Sequence, residues 1–325
     1  MTSPIVPKPL EILFKRADGI DMYMDVYLSP SASPENPAPI LCWWHGGGLL
    51  QATVAPHHLR GPSEHNFTLV SPDYRLAPQF RLPTILSDCA DAVKFLHSEE
   101  FKAATEGHAD SSRVILTGSS AGGWLSFLCG YRIGFKESGV SKPPKVQGIV
   151  PIYPITDLED PFWSTKQRPL SYMDRVIATE EVQPFLNSDN PGSHVAFSPV
   201  DSPRAMFYHY MVQEALLETL LLSGTSVPAT AFSVARFLKA LPWEDKSSIP
   251  PAYIVHGDDD RLVPVSQSRV VVEVLKELRE TGVSIDYEYE ELPGIDHSFD
   301  KAPEYEMEKM YVFIKRVFGT KCAVK

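Results

Sequence analysis

Short apolar runs recur along this chain, and most are followed by a longer stretch with apolar residues at helical spacing. Two β-rich runs come first, 12–14 and 22–28, and the second alternates as a half-buried strand does. Asp18-Gly19 between them is a hairpin signal, because Asp and Gly accept the positive φ of a tight turn. Residues 29–39, rich in Pro and Ser, read as a loop. Residues 39–44 read as a buried strand, and a second strand starts at Phe67 and ends in a polar turn through Pro78. Pro83 opens a helix to about Phe101, with Ile85, Leu86, Ala90, Val93 and Leu96 at helical spacing. A strand over 112–119, a helix over 124–135 and a strand over 146–153 follow. The rhythm pauses and resumes at 251–260, a strand ending in three acids. Next come a helix over 264–281 with Gly282 as its stop, a strand over 285–292, and a last helix over about 304–318. Such alternation predicts an α/β fold, a mostly parallel central sheet flanked by helices.

Residues 155–245 break the rhythm. Pro, Ser and Asp are frequent up to Pro203. Then 206–211 and 216–222 give a helix that is apolar on most faces, and 231–241 gives another. This predicts an inserted helical cap at 155–245 on a body formed by 1–154 and 246–325. The apolar residues of the cap, Met206, Phe207 and Tyr210 among them, pack it onto the body, line an acyl or ring-system pocket, or do both.

The chemistry starts at residues 114–124, where an apolar run meets Gly118-Ser119-Ser120-Ala121-Gly122 and then a helix-compatible stretch. A serine centred in Gly-x-Ser-x-Gly sits at a strained strand-to-helix turn with its hydroxyl raised above the sheet, so Ser120 is the candidate nucleophile. The earlier strand runs into His45-Gly46-Gly47-Gly48. Consecutive glycines let backbone N–H groups face a cleft. On that reading Gly47 and Gly48, with the N–H of Ala121, form an oxyanion hole, and His45 fixes the loop.

Bulk properties narrow the partners. A net charge of -11 without any basic run excludes a nucleic-acid partner and disfavours anionic membranes. No apolar run reaches the length of a membrane span, and residues 1–7 lack the basic and apolar regions of a signal peptide, so a cytoplasmic setting is expected. The four cysteines show no paired spacing, and Cys42 and Cys129 are expected as small buried hydrophobes. His57, His58 and His65 lack a third ligand at metal spacing and are expected on the surface, with no metal. Nothing in the sequence specifies an oligomeric state.

Taken together, His45-Gly46-Gly47-Gly48, the run Asp73-Tyr74-Arg75-Leu76-Ala77-Pro78, Gly118 to Gly123, His256-Gly257-x-x-Asp260 with Val263-Pro264, and Asp296-His297-Ser298-Phe299 resemble the hormone-sensitive-lipase-like branch of the α/β-hydrolases. The resemblance covers most of residues 20–318. It implies an α/β-hydrolase fold and a triad of Ser120, Asp260 and His297 in that chain order. The family spacing after Gly257 selects Asp260 over Asp258 and Asp259. It implies no metal and no cofactor. Members are mostly carboxylesterases, lipases and deacetylases, and some fungal relatives act in secondary metabolism. Three departures stand out: Ser119 where an acid is frequent, Gln79 where Glu is usual, and a short N-terminal cap segment. The expected activity is hydrolysis of a carboxylic ester of a medium-sized, mostly apolar molecule. A thioesterase, lactonase or acyltransferase would use the same acyl-enzyme. A non-catalytic ligand receptor on this fold is disfavoured, because Ser120 and His297 are both present.

Overall fold

A computed structural model describes residues 8–51, 56–199, 201–246, 248–302 and 304–319. Eight strands form one sheet: β1 Leu10–Ala17, β2 Ile20–Tyr27, β3 Ala38–Trp44, β4 Thr68–Pro72, β5 Ala109–Ser119, β6 Gly148–Ile152, β7 Ala252–Gly257 and β8 Tyr287–Leu292. Their order is β1-β2-β4-β3-β5-β6-β7-β8. The first hairpin, which turns at Asp18 (φ 50) and Gly19 (φ 75), pairs antiparallel and joins β4 antiparallel. Every pairing from β4 through β8 is parallel. β3, β6 and β7 are buried along their whole length, as continuous apolar strands must be when helices cover both faces. The two faces share residues by alternation: Cys42 and Trp44 enter one core with Leu116 and Trp124, while Leu41 and Trp43 enter the other with Ile115 and Phe313.

Helices differ from the sequence reading mainly at their ends. The helix expected over 83–101 is Leu82–Phe95, and a second one, Glu99–Ala104, starts afresh. Ser98 caps it by accepting from the Phe101 N–H, and Glu99 and Glu100 fill its first turn, a start signal lying inside the apolar repeat. The helix expected over 124–135 is Ala121–Tyr131, because the serine turn leads straight into it and Arg132 (φ 62) ends it. Between β6 and β7 lie only short helices, and the run 206–222 is two of them, Phe207–Gln213 and Leu217–Leu222, with Ala215 (φ 58) between. The helix Val234–Ala240 returns to the body. The Val234 N–H donates to Thr156 O (3.0 Å), and Trp124 Nε1 donates to Phe232 O (3.2 Å). No helix of the described residues is long and apolar enough to cross a membrane. Cys42, Cys89 and Cys129 are buried and free, whereas Cys322 and residues 1–7 lie outside the described residues.

The expected surface position of the histidines is corrected. His58 is 2% exposed. Its ring packs on Trp43 (4.1 Å between centroids), and it bonds Tyr311 and Asp300. His65 is half-buried and stacks on Tyr311 at 3.8 Å. Both partners come from the far end of the chain, so local sequence carried no sign of them. The side chain of His57 lies outside the described residues.

Candidate active site

β5 ends at Ser119, the helix Ala121–Tyr131 begins two residues later, and Ser120 between them has φ 58 and ψ -119. A non-glycine residue held there costs on the order of 1–3 kcal/mol, so its surroundings must enforce it. Glycine is what lets them. A Cβ on Gly118 or Gly122 would collide with the Trp44 carbonyl at the end of β3, which pairs parallel with β5 there. The Ser120 N–H donates to Ile152 O at 2.8 Å, and Ser120 O accepts from the Trp124 N–H at 3.1 Å. Ser120 is 5% exposed.

The glycine loop runs against this turn. A Cβ on Gly46 would sit 2.9 Å from Ser119 O and 3.5 Å from Ser120 Cβ. Gly47 (φ 103) and Gly48 (φ 66) adopt the left-handed region, which glycine enters without penalty. The run 73–78 holds the loop: the Tyr74 hydroxyl donates to His45 O (2.8 Å), and the Ala77 N–H donates to Leu49 O (2.9 Å). His45 stacks on Tyr74 at 4.0 Å, and its Nδ1–H donates to Gly46 O (3.0 Å). Burial pulls its pKa down to about 4, so it stays neutral and serves the loop. Arg204 reaches in from the 155–245 segment, donating to Leu50 O (2.9 Å) and Ala77 O (2.7 Å). Gln79 explains its own departure from Glu: its amide donates to Phe185 O (2.9 Å) and Asn187 O (3.0 Å), which a carboxylate could not do.

At the end of β7, Asp260 is the acid that reaches the histidine. His297 Nδ1–H donates to Asp260 Oδ2 at 2.6 Å, and Asp260 Oδ1 accepts from the N–H groups of Leu262 (2.9 Å) and Val263 (2.8 Å). Burial opposes ionisation of Asp260. Its interactions with the His297 and His256 rings outweigh that, leaving the carboxyl well below the usual range. His256 is fully buried; its Nε2–H donates to Val263 O (2.9 Å) and its Nδ1 accepts from Ser268 (2.7 Å), so it supports the turn. Asp258 and Asp259 are exposed, and Asp258 Oδ1 accepts from the Gly294 N–H. The histidine loop closes tightly on this strand, since a Cβ on Gly257 would collide with Ile295 O.

Serine and histidine meet across β6. The Ser120 N–H bonds Ile152, and the ring of the next residue, Tyr153, lies 4.3 Å from the His297 ring. Ser120 Oγ and His297 Nε2 are not themselves hydrogen-bonded. Such bonds are often long before substrate tightens them.

The residues over the glycine loop are Tyr208 and Met211, which sequence reasoning missed. A Cβ on Gly48 would sit 2.5 Å from the Tyr208 ring and 3.7 Å from Met211 Cε, and the Tyr208 hydroxyl donates to Leu262 O (2.9 Å) beside the acid. The expected pocket residues make other contacts. Phe207 packs on Phe185 (6.1 Å), the Tyr210 hydroxyl bonds Thr179 (2.9 Å), and Met206 Sδ accepts from Arg175 (3.5 Å).

Comparison with known proteins agrees with this geometry. A family model described as alpha/beta hydrolase fold matches residues 41–229. The methylphloroacetophenone synthase of Cladonia uncialis is 26% identical over 95% of this chain, and the non-reducing polyketide synthase pkbA of Emericella nidulans is 29% identical over 82% of it. This chain spans only 13% and 12% of those proteins. Carboxylesterase 20 of Arabidopsis thaliana is 31% identical over 45% of each chain. Among solved structures, esterase Est2 of Thermogutta terrifontis superposes with a TM-score of 0.64 at 17% identity, over 100% of this chain and 98% of that one. The chain belongs to the α/β-hydrolase fold family.

Proposed function

We propose that this protein cleaves a carboxylic ester of a medium-sized, mostly apolar molecule through an acyl-enzyme. The observation that carries the reading is the 2.6 Å bond from His297 to Asp260, with the His297 ring against Tyr153, next to the Ile152 that holds the strained Ser120 turn. Ser120 Oγ attacks the ester carbonyl while His297 Nε2 takes its proton, and Asp260 holds the imidazole and stabilises its positive form. The N–H groups of Gly47, Gly48 and Ala121 receive the oxyanion. His297 then protonates the leaving alkoxide. Water, deprotonated by the same imidazole, releases the acid. Residues 155–245 act as a cap, and Tyr208 and Met211 bound the acyl group where they cover Gly48. The free, buried thiols fit a cytoplasmic setting.

A second reading has one observation in its favour, the match of nearly the whole chain to fungal polyketide synthases. In that case the acyl group arrives as a thioester, or leaves to an alcohol or amine. One experiment tests both. Esters, thioesters and lactones of graded acyl length are offered to the protein and to Ser120→Ala, with and without added acceptors. We expect ester hydrolysis that prefers medium acyl chains to acetyl, a loss of at least about 10³-fold in Ser120→Ala with an unchanged melting curve, and organophosphate labelling at Ser120. Faster turnover of thioesters, or acyl transfer outrunning hydrolysis, would favour the second reading. Labelling or turnover that survives in Ser120→Ala would defeat both.

A further inference from the structure

The imidazole of His297 is fixed by Asp260 at a single point, Nδ1. One hydrogen bond does not by itself fix the plane of the ring, and Nε2 makes no hydrogen bond to Ser120, so packing must fix it. The aromatic ring packed against it is Tyr153, 4.3 Å away and tilted by 53°.

Tyr153 is itself held in an unusual state. Its φ is 35, a conformation that an aromatic residue adopts only under constraint. Its hydroxyl donates to Asp300 Oδ1, its ring meets Phe299 at 5.1 Å, and Ser119 neighbours its hydroxyl. Asp300 is fully buried, three residues beyond His297 on the turn Phe299–Lys301. Its other oxygen accepts from His58 Nε2 at 3.4 Å. His58 Nδ1 accepts from the Tyr311 hydroxyl at 3.3 Å, and its ring lies on Trp43. Two distant parts of the chain, at His58 and Tyr153, thus converge on one carboxylate, and Trp43 and Tyr311 hold His58 in turn. Burying a carboxylate is costly, and an apolar filler would serve stability as well.

We propose that Asp300, gripped between His58 and Tyr153, is a positioning residue for His297: it locks the Tyr153 ring as the floor on which the imidazole rests, and so aims Nε2 at Ser120. The proposal rests on Ser120 and His297 being nucleophile and base. It differs from the role of Asp260, because Asp300 bonds His58 and Tyr153 rather than the imidazole and acts through Tyr153.

Tyr153→Phe keeps the ring and removes the hydroxyl, and with it the bond to Asp300 and the contact with Ser119; Asp300→Asn keeps the shape and removes the charge. Both, the double variant and His297→Ala are compared by steady-state hydrolysis of a p-nitrophenyl ester, by the rate of organophosphate labelling of Ser120, and by thermal melting. In Tyr153→Phe we expect kcat and the labelling rate to fall together, by roughly ten- to a hundredfold, since small misplacements of a catalytic group cost that much. KM should stay within about twofold, because substrate binding is untouched. Asp300→Asn should lose at least as much. The double variant should lose no more than Asp300→Asn alone, as expected for two residues acting through one contact. Wild-type kcat in a folded Tyr153→Phe overturns the proposal, as do losses that multiply in the double variant. Should Asp300→Asn fail to fold, Tyr153→Phe alone decides. If His297→Ala keeps its turnover, the reading of the base has failed instead.

Discussion

Asp260 differs from its two acidic neighbours in what its oxygens touch. It receives His297 on one oxygen and two backbone N–H groups on the other, while Asp258 and Asp259 face solvent. An amide at 260 could still accept the two backbone bonds, but it would lose the counter-charge and the preference for the Nδ1–H tautomer. Asp260→Asn should therefore lower kcat by about 10³–10⁴-fold, with Asp258→Asn and Asp259→Asn within about threefold of wild type, as for ordinary surface changes. Steady-state kinetics on a single ester decide it, and a larger loss at Asp258 would reassign the acid. At this scale much was legible. Ser120 and the glycines sit in local patterns whose backbone geometry demands those residue types. His58 was not legible, because Asp300 and Tyr311 lie more than 240 residues further along and only the fold brings them to it.

Elements were legible where one periodicity dominated. Each strand of the sheet fell within a residue or a few of its apolar run, and the Asp18-Gly19 turn was local chemistry. The segment 155–245 shows where that ends. Around Phe207–Gln213 apolar side chains occupy most faces, so the sequence announces a helix without saying which way it is rotated. The structure turns Tyr208 and Met211 toward Gly48 and leaves Phe207 fully buried against Phe185. Two different losses follow. Tyr208→Ala and Met211→Ala should shift acyl preference toward longer or bulkier groups, with an ester panel moving its optimum and small-organophosphate labelling of Ser120 still proceeding. Phe207→Ala should keep the wild-type profile and lose about 3–5 kcal/mol of stability, the usual cost of emptying an aromatic site in a core. An altered profile in Phe207→Ala with an unchanged one in Tyr208→Ala would reverse the assignment of faces.

Across the whole molecule, buried ionisable groups pull stability in opposite directions over the same pH range. His45 and His65 have pKa values drawn down to about 4, by burial first and, for His65, then by Lys315. Below their unfolded value near 6.5 the unfolded chain binds more protons. Their contribution is therefore complete above about pH 6.5 and is lost as pH falls toward 4. Asp73, in the turn after β4, does the reverse. Burial raises it to about 7; the Tyr23 N–H opposes the rise, and Asp25 on β2 and Glu11 on β1 add to it. Its contribution is complete below its unfolded value near 3.8 and is lost as pH rises through about 7. Asp73→Asn keeps an oxygen for the Tyr23 N–H and removes the charge. The melting temperature of the variant should match wild type near pH 4, pull ahead as pH rises, and level off a few degrees higher above about pH 7. Salt separates this from general repulsion in a chain of net charge -11. Screening reaches exposed charges but not a buried carboxyl, so the gap should survive high ionic strength. A gap independent of pH would mean that Asp73 is ionised alike in both states, and one that salt erases would assign the effect to Asp25, Glu11 and the surface.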